Sequence, residues 1–309
     1  MTKKALITEE FHPILTEGLE RMGYSCCQDW ESTSDTVKAS IHTYELLVIN
    51  SKIRVDRNML DLATKLKSII RIGSGLEIVD LDACLEKNIQ VISTPEGNAN
   101  AVAEHVLAFI LSSYTNLFRA QTELMLGQWN REPNRGEELS SKVLAVIGCG
   151  NNGSRLVNLL SGFKTEILIY DIQDIRSRIV NPHARQASME SIFQNAEIVS
   201  FHIPLNPSTQ HLIQLNYLKH FQKPIDLINT SRGGICKEED LWQALKGGYV
   251  KRAFLDVFEK EPIRLTEESK KLIQDGKLFI SPHIAGWTNE SKKRMAEIAI
   301  EKIKSTNFL

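Results

Sequence analysis

The sequence predicts an α/β protein made of two doubly wound domains, each with a parallel sheet. Three observations indicate this class: the chain has 309 residues, short apolar runs alternate with stretches of helical spacing, and glycine-rich turns follow several of those runs. This length is about twice that of a typical domain. Because such folds bind ligands beyond the carboxyl ends of their strands, we expect the site in a cleft between the two domains.

The first domain is expected to be flavodoxin-like. Strands are predicted at residues 5–8, 46–50, 68–72 and 90–93, with helices between them at 14–22 and 59–66. The turn-forming segment 94–100 then interrupts the chain, and a helix is expected over 101–118. The tail is helical from Glu290 and should return to this domain, which therefore comprises 1–98 plus 287–309 and is the predicted substrate-binding domain.

The second domain, 99–286, repeats the alternation and is expected to be a Rossmann domain. Its predicted helix spans 154–160, and strands are predicted at 143–147, 166–170, 197–201, 225–229, 253–256 and 278–281. Short buried strands of this kind, each followed by a turn, are typical of a parallel sheet covered on both faces.

Composition and charge exclude several classes of function. Lys plus Arg is 37 and Asp plus Glu is 38, for a net charge of −1, which argues against a dominant nucleic-acid surface. The five cysteines form no C-x-x-C pair, which indicates reduced thiols and no zinc site. No apolar run approaches the roughly 18 residues of a membrane span. We therefore expect a cytoplasmic protein that binds a small molecule and no nucleic acid, membrane or metal.

A cofactor site is predicted where the first strand of the second domain ends. Gly148, Gly150 and Gly153 form a G-x-G-x-x-G pattern between an apolar strand and an amphipathic helix. Glycine there allows the tight turn, the approach of a pyrophosphate and close helix packing, and the helix N-terminus attracts the anion. Asn152, within this turn, is a further cofactor-binding candidate, although an apolar residue usually packs at its position. Asp171 ends the next strand and should accept the ribose hydroxyls, which favours NAD over NADP.

Three further motifs each follow a predicted strand and supply the groups that hydride transfer to a 2-keto acid requires. Arg232 offers a bidentate fork for the substrate's carboxylate and carbonyl. His283 is a candidate acid/base for the hydroxyl proton. Glu261 should stabilise the imidazolium, whereas Glu259 is interpreted as a solvated loop carboxylate. Six other histidines lie in no comparable motif: His12, His42, His105, His183, His211 and His220.

Together these motifs resemble the D-isomer-specific 2-hydroxyacid dehydrogenase family over essentially the whole chain. The matching segments, in family order, are 148–153 with 170–171, 202–205, 229–233, 256–262 and 282–286. The resemblance implies NAD as cofactor and Arg232, Glu261 and His283 as the catalytic set. It further implies that Asp256 holds the nicotinamide carboxamide, and it adds these cofactor-binding candidates: His202, Pro204, Thr230 and Gly286.

Within this family the chain is most similar to the D-3-phosphoglycerate dehydrogenases, as a short form without a regulatory domain. The resemblance implies that the turn after residue 71 grips the substrate acid, since its N–H groups can form an anion nest. Its candidate residues are Arg71, Ile72, Gly73, Ser74 and Gly75. Lys52, Arg54 and Arg131 are further candidate phosphate contacts. A homodimer through the second domain is also implied, with the 101–118 helix and the Trp129 segment near the interface.

Other functions stay open at this point. The leading expectation from the resemblance is interconversion of 3-phosphoglycerate and 3-phosphohydroxypyruvate in serine biosynthesis. Asn50, however, stands where phosphoglycerate dehydrogenases commonly have arginine, so glyoxylate/hydroxypyruvate reductase or another D-2-hydroxyacid dehydrogenase is the alternative. A formate or phosphite dehydrogenase on the same scaffold is another enzymatic alternative. Glu261 beside His283 argues against formate, for which the resemblance implies a glutamine beside the histidine. A NAD-sensing co-repressor or scaffold could retain the whole catalytic set, and fold-level analogy does not distinguish it from an enzyme.

Overall fold

The structure is a computed structural model that describes residues 3–305. The chain divides into two compact units. The first contains Asn98 and the residues before it together with Trp287 and the residues after it, and the second is Ala99–Gly286. Among residues 3–305, no helix is long and apolar enough to cross a membrane.

Strands and helices alternate along most of the chain, as the sequence predicts. In chain order the strands are β1 (Lys3–Ile7), β2 (Tyr24–Gln28), β3 (Leu46–Ile49), β4 (Ser68–Arg71), β5 (Gln90–Ser93), β6 (Val143–Ile147), β7 (Glu166–Tyr170), β8 (Ala184–Gln186), β9 (Ile198–Phe201), β10 (Ile225–Asn229), β11 (Val250–Leu255) and β12 (Leu278–Ile280). The α-helices are α1 (Pro13–Arg21), α2 (Ser34–Ser40), α3 (Arg57–Leu62), α4 (Leu81–Glu86), α5 (Ala99–Tyr114), α6 (Leu117–Met125), α7 (Asn151–Leu159), α8 (Met189–Asn195), α9 (Leu215–Leu218), α10 (Glu238–Gly247), α11 (Glu267–Gln274) and α12 (Asn289–Ser305).

The first unit contains one parallel sheet of five strands in the order β2-β1-β3-β4-β5. This is a doubly wound order of the flavodoxin type. All four residues of the central strand β3 are fully buried, because helices cover both faces of the sheet and each face has its own apolar cluster.

Helix α12 closes one face of this first sheet. It packs against α1, where a Cβ added to Gly18 would lie 2.6 Å from Cδ1 of Ile300. Ala296, Ala299 and Ile300 of α12 belong to the same buried cluster as Leu15 of α1. The sheet of the first unit is therefore covered only when α12 is in place.

The second unit contains a parallel sheet of seven strands in the order β12-β11-β10-β9-β6-β7-β8. The strand order reverses at β6, as in a Rossmann fold. Because parallel strands end at the same edge of a sheet, the turns after β6, β9, β10, β11 and β12 share one edge. Two parallel sheets with flanking helices confirm the predicted fold class.

Several details of the sequence prediction are wrong or incomplete. The helix expected over 59–66 is α3, which ends at Leu62, and helices α2 and α4 were not predicted. The helix expected over 101–118 ends at Tyr114, because Asn116 adopts a left-handed conformation (φ 54°) and α6 begins only at Leu117. Strands β2 and β8 were not predicted. Both lie at sheet edges and neither has a fully buried residue, so neither has the apolar run that reveals a central strand.

Candidate active site

The glycine turn after β6 is fixed by close backbone contacts. Gly148 has φ +90°, and a Cβ on it would lie 2.7 Å from the carbonyl oxygen of His202. A Cβ on Gly153 would lie 2.0 Å from the carbonyl oxygen of Gly148. Both positions therefore require glycine for steric reasons. Gly150, by contrast, has no neighbouring atom within 4 Å of a Cβ position, so the turn leaves space beside it.

A cavity of about 410 Å³ adjoins this turn, and its lining includes Cys149, Gly150, Ser154 and Arg178. Asp171 follows β7, and its Oδ2 accepts a hydrogen bond from the N–H of Cys149, a residue of this lining, at 2.7 Å. Its Oδ1 accepts from the Gln173 N–H at 2.9 Å. These bonds orient the carboxylate at the end of the glycine turn.

Buried polar atoms around the turn fit a dinucleotide. The Oδ1 of Asn152, the Nδ1 of His202 and the Oγ1 of Thr230 are buried and have no hydrogen-bond partner among residues 3–305. Orphaned buried polar atoms are costly unless a ligand or water pairs them. Burial lowers the pKa of His202 to about 4, so this imidazole is neutral at pH 7. All three residues are among the predicted cofactor contacts. Pro204 and Gly286 follow β9 and β12 at the same edge.

The loops after β11 and β12 bring His283 and Glu261 together. The Nδ1 of His283 lies 2.8 Å from Oε2 of Glu261, and both side chains are partly exposed. The Oε1 of Glu261 accepts a hydrogen bond from the Phe258 N–H at 3.1 Å. Because Nδ1 is bound to the carboxylate, Nε2 is the ring nitrogen available for proton exchange. A histidine oriented by a carboxylate in this way can act as a general acid/base.

Arg232 follows β10 in a turn that the Asn229 side chain stabilises. The Nδ2 of Asn229 donates to the Arg232 carbonyl at 2.9 Å, and its Oδ1 accepts from the Ser231 N–H at 3.1 Å. The next residue, Gly233, lies so close to the loop after β11 that a Cβ would be 1.8 Å from the Phe258 carbonyl oxygen. The turn of Arg232 and the loop of Glu261 are therefore in direct contact.

Three contributors to this site were not identified from the sequence. Glu259 is an exposed loop carboxylate, as expected, but it also makes two contacts that the sequence did not reveal: its Oε1 pairs with Nε2 of His211 at 2.7 Å, and its Oε2 accepts from the Glu238 N–H at 2.8 Å. Glu238 returns the bond, since its Oε1 accepts from the Glu259 N–H at 2.6 Å. This reciprocal pair of Glu259 and Glu238 anchors the loop that contains Glu261.

His105 is the third contributor that the sequence did not identify. Its Nε2 lies 2.9 Å from Oγ of Ser281, in the turn after β12.

The predicted acid-binding turn of the first unit follows β4. Gly73 has φ +130°, its N–H donates to Oγ1 of Thr94 at 2.9 Å, and Thr94 N–H donates to the Gly73 carbonyl at 2.9 Å. The Arg71 guanidinium donates to the carbonyl of Ile72 at 2.9 Å. The N–H groups of Ser74 and Gly75 donate no hydrogen bond to residues 3–305, so they are available to an anion.

The remaining predicted phosphate contacts do not form one cationic cluster within a unit. Lys52 and Arg54 are exposed in the first unit, whereas Arg131 is exposed in the second. The Lys52 ammonium donates to the carbonyl of Trp30 at 2.6 Å. A carboxylate also occupies this loop, because Oε1 of Glu9 accepts from the Asn50 N–H at 2.9 Å and the Lys52 N–H at 3.2 Å.

A Rossmann-type unit with a histidine–carboxylate pair and an arginine at its strand ends is typical of a nucleotide-dependent oxidoreductase. Residues 107–285 match the model of the family described as D-isomer specific 2-hydroxyacid dehydrogenase, NAD binding domain. The chain belongs to this family, and its cofactor is of the NAD type.

Relatives of this chain are named for different substrates. The chain is 30% identical to a D-3-phosphoglycerate dehydrogenase of Methanocaldococcus jannaschii over 97% of its own length and 57% of that protein. It is 31% identical to a hydroxypyruvate reductase of Thermotoga maritima over 87% of each chain. Its fold is similar to that of a D-lactate dehydrogenase from Aquifex aeolicus solved with NAD and lactic acid, with a TM-score of 0.84, 24% identity and coverage of 98% and 94% of the two chains.

Gly150 offers a direct test of the cofactor site. A Gly150→Val variant should keep the fold, because nothing lies within 4 Å of the Cβ position and the backbone there is extended (φ −74°). Its side chain would fill the space that a pyrophosphate requires, so we expect the Kd for NADH to rise at least about tenfold. NADH fluorescence titration and the Tm provide the measurements. Gly162→Val, whose Cβ position is equally open, is the matched control. An unchanged Kd in Gly150→Val would contradict the assignment.

Proposed function

We propose that this protein is an NAD-dependent oxidoreductase that interconverts a D-2-hydroxy acid and its 2-keto acid. The main support is the hydrogen-bonded pair of His283 and Glu261 at the strand ends of a Rossmann unit, with the Arg232 turn in contact with the Glu261 loop. The pair supplies the proton transfer that accompanies oxidation of an alcohol. The arginine supplies the cation that a carboxylate substrate requires.

In the proposed mechanism, each residue acts on one part of the substrate. Bound NAD supplies the hydride acceptor or donor for C2. His283 takes the hydroxyl proton on Nε2 during oxidation and returns it to the carbonyl oxygen during reduction. Glu261 stabilises the imidazolium through Nδ1. Arg232 binds the carboxylate and polarises the carbonyl oxygen.

We propose that Gly148, Gly150, Gly153 and the N-terminus of α7 hold the pyrophosphate of the cofactor. The Asp171 carboxylate, held by the Cys149 and Gln173 N–H groups, would accept the ribose hydroxyls and repel a 2′-phosphate. Two arginines follow in sequence: Arg176 is paired with Asp174, and Arg178, which lines the same cavity as Gly150, donates to Oε1 of Gln173 at 3.0 Å. The Asp171 carboxylate is the feature that supports NAD over NADP.

The first unit would bind the substrate's acid group through the Ser74 and Gly75 N–H groups. We further propose that the preferred substrate lacks a phosphate, with hydroxypyruvate or glyoxylate as candidates. The observation that supports this choice is the Glu9 carboxylate, which binds the Asn50 and Lys52 N–H groups of the loop where a phosphate was expected. A dianion beside this carboxylate would be repelled. Arg54 likewise lines a cavity with three carboxylate residues, Asp56, Glu77 and Asp80.

Oxidation of 3-phosphoglycerate to 3-phosphohydroxypyruvate, the first candidate from the sequence, is the second candidate here. The similarity to the D-3-phosphoglycerate dehydrogenase of Methanocaldococcus jannaschii extends over 97% of this chain. Lys52, Arg54 and Arg71 are also present on the first unit as possible counter-charges.

The test compares NADH oxidation with hydroxypyruvate, glyoxylate and phosphohydroxypyruvate. We expect kcat/KM to favour an unphosphorylated acid by about tenfold or more. Glu9→Gln keeps a carbonyl oxygen for the two N–H groups but removes the charge, so it should raise relative activity on phosphohydroxypyruvate. Glu10→Gln, an exposed carboxylate next to it, is the matched control. Preference of the wild type for phosphohydroxypyruvate would instead support the second candidate, and no turnover of any 2-keto acid would overturn the proposed function.

A homodimer through the second unit is also proposed. Its support is the apolar side chains that α6 and the following loop leave exposed, among them Phe118, Leu124, Met125 and Trp129. Exposed patches of this kind are typical of protein interfaces. Sedimentation analysis of the wild type and a Met125→Glu variant would test it.

A further inference from the structure

The buried carboxylate of Asp256 organises the turn that contains His283. Asp256 is 1% exposed and follows β11. Its Oδ1 accepts hydrogen bonds from the Ser281 hydroxyl at 2.5 Å and the Ile284 N–H at 2.8 Å. Its Oδ2 accepts from the Ala285 N–H at 2.8 Å. Between these anchors, His283 adopts a left-handed conformation (φ 56°), which is uncommon outside glycine and needs support from its surroundings.

A second histidine reaches this carboxylate through Ser281. The Nε2 of His105, on α5, lies 2.9 Å from Oγ of Ser281 and 3.9 Å from Oδ1 of Asp256. The ring of His105 packs edge-on against Phe109, with 4.6 Å between centroids. Burial lowers the pKa of His105, so the ring is neutral at pH 7 and bears its proton on one nitrogen only.

The position of that proton follows from counting donors. Ser281 has one hydroxyl proton, and it donates this proton to the Asp256 carboxylate. The Oγ of Ser281 can therefore only accept from His105. Nε2 of His105 must bear the proton, and the chain of hydrogen bonds runs from His105 through Ser281 to Asp256.

We propose that His105 is a positioning residue for the acid/base His283. By donating to Ser281, it holds the hydroxyl that donates to Asp256, and Asp256 in turn holds the Ile284 and Ala285 N–H groups that set the turn of His283. This inference rests on the proposed function for its catalytic consequence. The arrangement of the turn itself does not depend on which substrate, if any, the protein converts.

The alternative is that His105 is only a half-buried polar residue whose loss lowers stability. The proposed chain of hydrogen bonds predicts more than a loss of stability: the N–H donor of His105 should act on the His283 turn through Ser281. Substitutions of the two residues should then be non-additive, and a side chain that retains an N–H donor should restore function.

The experiment uses His105→Leu, which removes the donor, and His105→Gln, which retains an N–H group. Ser281→Ala and the double variant complete the cycle. Leu107→Ala, on the same helix and partly buried, is the control for lost packing. We expect His105→Leu to lower kcat about tenfold with a change in KM of less than about twofold, because a donor to a charged network is lost. His105→Gln should recover most of kcat, and the double variant should be no worse than Ser281→Ala.

Amide hydrogen exchange gives a readout that needs no activity. Exchange at Ile284 and Ala285 should accelerate in His105→Leu and Ser281→Ala but not in Leu107→Ala, and NADH titration would report any change at the cofactor site. Unchanged exchange at these two amides, or additive effects of the two substitutions on kcat, would overturn the inference. If the wild type converts no 2-keto acid, the proposed function fails, while the exchange data still decide the inference. If His105→Leu does not fold, His105→Gln and Ser281→Ala decide it.

Discussion

Replacement of His283 by glutamine should lower kcat by about 10²–10⁴-fold, the range observed when a general acid/base is lost. Glutamine can fill similar space and form a hydrogen bond to Glu261, but it cannot take up the hydroxyl proton. Steady-state NADH oxidation with the preferred 2-keto acid measures kcat, and NADH titration should give a Kd close to that of the wild type.

Two further variants sharpen this prediction. Glu261→Gln removes the charge while retaining an acceptor for Nδ1 of His283, so its loss of kcat should be smaller than that of His283→Gln. His220→Gln changes an exposed histidine of the second unit and should leave kcat unchanged. A His283→Gln variant with kcat within about threefold of the wild type would exclude His283 as the acid/base.

Replacement of Arg232 by alanine should lower kcat/KM by about 10²–10³-fold. Loss of one partner from a charge-assisted pair costs about 2–5 kcal/mol, and the substrate's carboxylate would lose its bidentate cation. Arg232→Lys retains the charge without the planar fork, so it should recover only part of the activity. The initial rate at low substrate concentration gives kcat/KM directly.

The control for this prediction is Arg264→Ala, which removes an exposed arginine from the loop after the Glu261–Pro262 bond. Its kcat/KM should match the wild type. If Arg232→Lys were as active as the wild type, a simple charge would suffice and the bidentate role would be refuted. Equal losses for Arg232→Ala on substrates with and without a phosphate would assign Arg232 to the carboxylate that both share.

The sequence predicted those parts of the site that directly follow a recognisable buried strand. Gly148, Asp171 and Arg232 each follow a central strand that is buried on both faces, so an apolar run marks where the strand stops and the turn begins. The spacing of glycines then indicates which turn approaches a ligand. Local sequence is enough because the sheet itself brings these ends to one edge.

The parts that the sequence did not reveal depend on contacts between distant residues. His105 meets Ser281 across 176 residues, and Glu9 meets Asn50 across 41. His105 lies in a helix whose periodicity explains it equally well as a core residue. The edge strands β2 and β8 were not predicted for a different reason: an edge strand needs no continuous apolar run, so no such run marks it in the sequence.

The position of α12 has a consequence for synthesis on the ribosome. The second unit is a continuous segment, and its last strand, β12, is made before α12. The first unit begins earlier, but its apolar cluster is complete only when Ala296, Ala299 and Ile300 of α12 pack against Leu15 of α1 and against sheet residues such as Val48 and Ile70. During translation the nascent first unit therefore presents an uncovered apolar face while the whole second unit is being made.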